Sequence, residues 1–152
     1  MKAFRFNLEK VLEWRAIQLR TAEEKLTQLQ HSLSLVSQQE QELLTDYRGH
    51  EEKLISSPVL EGSDLHALAS FRERTIRLIQ ALQAQKAQWE ALIVEQRQHL
   101  LKARSNHRIL EKLKERRLRD WMYLHDREIE NTAAEVHLAN WVRMESEKST
   151  RH

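Results

Sequence analysis

The sequence has no cysteine, one proline and two glycines in 152 residues, and aromatics make up only 6% of it. Without cysteine there are no disulfide bridges and no thiolate metal sites, and a reducing compartment is the simplest reading. So little glycine and proline leaves room for few turns. Few aromatics beside 32% charged residues suit exposed helices rather than a thick globular core. Long apolar runs are also absent. No stretch approaches about 20 uninterrupted apolar residues, the length needed to cross a bilayer. Met1 to Leu12 carries Lys2, Arg5, Glu9 and Lys10 and lacks the apolar run of a signal peptide. The expectation is a cytoplasmic chain of one domain's length.

What is present is a helical repeat. Steps of four and three from Leu8 reach Leu12, Arg15, Leu19, Ala22, Leu26, Leu29, Leu33, Val36, Glu40, Leu43, Tyr47, His50 and Leu54, and eleven of these fourteen positions are apolar. A spacing held that long gives a narrow stripe that packs against another helix. Asn7 is placed to cap this helix, with Phe6 and Val11 at hydrophobic-staple positions. The break is the run Ile55 to Asp64, which contains Pro58 and Gly62. Proline lacks the amide a continuing helix needs, and Ser63 or Asp64 can cap the next helix.

The expected fold is all-α, a long two-helix antiparallel coiled coil forming a single domain over 1–152. Helix 1 covers about 7–54, a loop about 55–64, helix 2 about 65–145, and a disordered tail 146–152. The second seam is poorer. Leu68, Ile79, Leu82, Trp89, Ile93, Leu100, Ala103, Leu110, Trp121, Leu124, Leu138 and Val142 share one phase with Arg72, Thr75, Lys86, Gln96, His107, Lys114, Arg117, Glu128, Asn131 and Glu135. Residues 8–54 can pair with roughly 65–111. That leaves about 112–145 as an overhang. Intramolecular pairing avoids the entropy of association and predicts a monomer.

No feature points to catalysis or to a cofactor. Two isolated glycines cannot form a phosphate loop, and none of the eight histidines lies three or four residues from another. A single hairpin also offers no enclosed cleft. Charge is blocky. Arg97 to Arg119 holds nine Lys/Arg against two Glu, a net of +7, and Asp120 to Glu147 has a net of −5. The run Lys112 to Arg119 can neutralise phosphates. A zipper-type binder, however, puts its basic region directly before a clean zipper. Here the run follows the seam and is followed by acids, so nucleic acid is not expected as a partner.

Phe4 to Arg15, FRFNLEKVLEWR, resembles the opening of the FliJ family of flagellar export proteins: an aromatic-basic-aromatic element, then Leu-Glu, a hydrophobic pair and an Arg. Leu113 to Arg117, Tyr47 and the span from Phe71 to Trp89 are similar to the family too. The pattern departs from it at polar Thr75. The resemblance implies a non-enzymatic stalk, like the central stalk of rotary ATPases, that binds the hexameric export ATPase, FliI, and promotes its assembly and activity. It also implies contact with the export gate protein, FlhA, and escort of export chaperones. The chain would then sit at the inner face of the cell membrane through its partners. The ATPase contact would use Phe4, Phe6, Arg15, Arg116, Arg117 and Trp121, which a closed hairpin gathers at one tip. The gate contact would use Phe71 and Leu78. The alternatives are a homologous stalk protein of a virulence type III secretion system, a generic coiled-coil scaffold, or a basic helix on nucleic acid.

Overall fold

The structure is a computed structural model and describes residues 3–59 and 61–149. It consists of two helices, α1 (Glu9–Ile55, 47 residues) and α2 (Gly62–Ser149, 88 residues). No strand occurs among the described residues, and the chain is all-α as expected.

The helix ends follow from local chemistry. At the exit of α1 the Ser56 amide and hydroxyl both donate to the Glu52 carbonyl, at 3.1 and 2.9 Å. Pro58 follows two residues later and cannot continue the helix. The entry to α2 differs from the expected cap. Glu61 is the capping residue, its carbonyl accepting from the amides of Asp64 at 3.0 Å and Leu65 at 3.2 Å. Asp64 works from inside the first turn, its carboxylate accepting from the Glu61 amide at 3.2 Å. That is the reciprocal half of a capping box. It starts α2 earlier than residue 65, with Gly62 already helical. At its other end α2 runs on to Ser149, past the expected end near 145. Residues 150–152 of the expected tail lie outside the described residues.

The chain divides into two compact units. The first to describe is Ile17–Arg104. Here the contacts run in opposite senses along the two helices: Tyr47 meets Phe71, Glu40 meets Gln83 and Lys86, Ala22 meets Gln96, and Glu23 meets Arg104. This is an antiparallel helical hairpin of coiled-coil type. Its seam is the stripe expected from spacing. Val36, Glu40, Thr75, Ile93, Gln96 and Leu100 are buried, and Leu26, Leu29, Leu33, Leu43, Ile79, Leu82 and Trp89 are half-buried. A two-helix seam covers each side chain on one side only, which is why so few are fully enclosed. Two positions here depart from the expected phase, His50 and Arg72, both exposed. Phe71 takes the place of Arg72, stacking on Tyr47 at 6.2 Å between ring centroids and meeting His50 edge-on at 5.1 Å.

Three of the buried seam residues are polar. Glu40, 7% exposed, accepts from Gln83 Nε2 at 3.1 Å and lies 3.5 Å from Lys86 Nζ. Gln96 Nε2 donates to the Ala22 carbonyl at 3.1 Å. Thr75 is 2% exposed, so the residue that breaks the apolar pattern is also the most deeply covered. Polar groups at such depth need partners. The Glu40 and Gln96 contacts are made between the helices, where they favour one register.

Candidate partner-binding site

The second unit combines the described parts of Met1–Ala16 with those of Ser105–His152. In it the non-helical segment from Ala3 to Phe6 runs into the first turn of α1 and lies along α2. The Glu9 amide donates to the Phe6 carbonyl at 3.1 Å. Phe6, 7% exposed, is the one buried apolar side chain of this unit among the described residues. Glu9 pairs with Lys114 Nζ at 2.7 Å. Phe4 packs on Trp121 with centroids 6.1 Å apart and rings tilted by 55°. On its other side Trp121 stacks on His125, at 5.0 Å and 17°.

These contacts correct the expected overhang. Pairing does not stop at residue 111, because Glu9 reaches Lys114 and the segment ahead of α1 covers α2 as far as Trp121. A count of helical residues alone misses that cover. Beyond it, residues 126–149 are exposed throughout.

An open hollow in this unit is lined by Ala3, Phe4, Arg5, Arg117, Asp120, Trp121 and Leu124. Three of the expected contact residues, Phe4, Arg117 and Trp121, meet in it. Arg116 is exposed and outside it. Arg15 is half-buried, its guanidinium 4.8 Å from the Trp14 ring centroid, an attraction between a cation and the ring face. Phe6 belongs to the packing under the hollow. Arg5, Asp120 and Leu124 line the hollow without having been expected. Leu124 was legible, since it shares the seam phase of Trp121. Arg5 and Asp120 were not, because only the fold of the segment ahead of α1 brings them together.

The electrostatics favour an acidic or polar partner. Lys114 is neutralised by Glu9, and His107 lies 3.5 Å from Glu111. Among the described residues, Arg116, Arg117 and Arg119 have no ion-pair partner. Cations beside exposed aromatic surface give both steering and area for burial.

The other expected pair lies in the hairpin unit. Phe71 is half-buried in its ring cluster and borders a shallow hollow with His50, Leu54, Asp64, Ala67 and Leu68. Leu78, 48% exposed, stands one heptad further along α2. No helix of the described residues is long and apolar enough to cross a membrane, and no cluster of three or more His, Asp and Glu among them could hold a metal ion.

Compared with known proteins, residues 4–139 match a family model described as "Flagellar FliJ protein". No curated protein and no solved structure matches the chain.

Proposed function

The chain belongs to the FliJ family of flagellar proteins, a component of flagellar protein export, and from that premise we propose that it is a non-catalytic stalk for the export ATPase. In this proposal it binds the hexameric ATPase ring, promotes ring assembly and raises turnover. The observation that carries the reading is the hollow in which Phe4, Trp121 and Arg117 meet, with unpaired Arg116 and Arg119 on the same stretch of α2. Aromatic anchors flanked by free cations are the usual composition of a binding hot spot. The same proposal assigns Phe71 and Leu78 to the export gate protein, an aromatic and an exposed leucine one heptad apart. Escort of export chaperones, and a position at the inner face of the membrane through these partners, complete it.

The test is stimulation of the purified export ATPase by the purified chain. Wild type should raise both hexamer formation and turnover. The double reversal Arg116→Glu/Arg117→Glu should reduce both, most at low salt, because such pairs are screened within about 10 Å at 0.1 M ionic strength. Phe4→Ala should act in the same direction at every salt concentration. Full stimulation by the double variant at low ionic strength, with helicity intact, would remove these arginines from the contact. Steeply salt-dependent binding to nucleic acid, with none to the ATPase, would replace the reading altogether.

A further inference from the structure

Between Ser105 and Asp126, α2 has two contrasting faces. At about 100° per residue, Lys114 and Trp121, which meet Glu9 and Phe4, lie on one of them. On the opposite face Arg108, Lys112, Arg116 and Arg119 follow one another a turn apart, and all are exposed. The row is about 16 Å long at the rise of an α-helix. Among the described residues none of these cations has an ion-pair partner. Glu115 is the single carboxylate within the row, since Glu111 is turned toward His107 at 3.5 Å. Met122 and Tyr123, 50% and 66% exposed, stand at its C-terminal end.

The row attracts an anion, and its form decides which carrier of negative charge fits. Between Arg108 and Arg119 the centre of this face carries no apolar side chain, and Ile109 lies at its edge. A partner helix would find no ridge to pack on. A rigid polyanion must match the spacing of the cations. The phosphates of a fluid bilayer instead diffuse to meet them, and each cation beside an anionic membrane adds roughly fivefold to partitioning. A tyrosine next to such a row has an apolar ring and a polar tip, which suits the headgroup level.

We propose that this face of α2 lies on the anionic surface of a phospholipid bilayer. Arg108, Lys112, Arg116 and Arg119 meet lipid phosphates, and Tyr123 rests among the headgroups. This goes beyond a position at the membrane held through partner proteins. It does not rest on the ATPase contact, because Arg108 and Lys112 are not part of that contact.

Co-sedimentation of the full chain with lipid vesicles tests it. Wild type should bind vesicles of mixed phosphatidylglycerol and phosphatidylcholine, should not bind phosphatidylcholine alone, and should be released by salt. Arg108→Gln/Lys112→Gln should lower partitioning about thirtyfold while circular dichroism stays helical. Stimulation of the export ATPase by the same variant is measured separately, so the loss of one contact is distinguishable from the loss of the other. Arg72→Gln/Arg74→Gln, the same change of charge at exposed positions of the hairpin unit, should leave vesicle binding unchanged. Equal binding to both kinds of vesicle, binding to neither, or an equal loss in the hairpin-unit variant would overturn the proposal. Tighter binding to a DNA duplex that Arg108→Gln/Lys112→Gln abolishes would also overturn it, assigning the row to nucleic acid.

Discussion

Glu40 and its two partners show what a polar residue does in a seam. Replacing Glu40 by Leu removes an acceptor from Gln83 and a counter-charge from Lys86. The Lys86 side chain is already 36% exposed and its stem is long enough to carry the ammonium into water. Leu in its place adds apolar burial. Glu40→Leu should therefore leave urea stability within about 1 kcal/mol of wild type, while Glu40→Ala, which adds no burial, should cost about 1–3 kcal/mol. Apolar seam residues should rank by burial. Ile93→Ala and Leu100→Ala, at sites 5% and 7% exposed, should cost about 3 kcal/mol each. Half-buried Leu29→Ala and Leu33→Ala should fall nearer 2 kcal/mol, because water already reaches part of the side chain. A reversed ranking in denaturant unfolding would contradict the seam as described.

At the scale of the element, α2 has one well-defined start and one unsupported end. Asp64 closes the capping box with Glu61, so Asp64→Ala should cost about 0.5–2 kcal/mol and fray the first turn. Hydrogen exchange at the amides from Ser63 to Ala67 reads that loss locally. At the other end the described residues from 126 to 149 are all exposed, and most helical stability in proteins comes from tertiary packing. Amides between 128 and 149 should exchange much faster than those between Trp89 and Ala103, which belong to the packed seam. Equal protection of the two stretches would contradict this difference in packing.

For the whole molecule, the contacts that hold each helix are made within one chain, so we predict a monomer at low micromolar concentration. Light scattering that gives twice the chain mass would contradict it. Function at this scale depends on the partners. Among the described residues, two open surfaces differ in character: an aromatic and arginine-bearing hollow at Phe4, Arg117 and Trp121, and an aliphatic groove around Ile129 and Val136. Surfaces of different character suit different partners and suppress wrong ones.

Periodicity alone determined that the chain is two helices broken at Pro58, and which residues face inward from Leu8 to Tyr47 and from Thr75 to Leu110. That information is local, because a side chain's direction on a helix depends only on its position along the repeat. The family was also legible, in Phe4 to Arg15. What the tertiary structure decided is how residues far apart in sequence meet. It set Gln83 and Lys86 opposite Glu40, turned Phe71 rather than Arg72 toward Tyr47, and buried Phe6 while leaving Phe4 half-covered on Trp121. It also carried the pairing past residue 111, because an extended segment with no helical period lies over α2. Register depends on pair energies summed over both partners and on the connection between them, and neither can be read from the spacing of one helix.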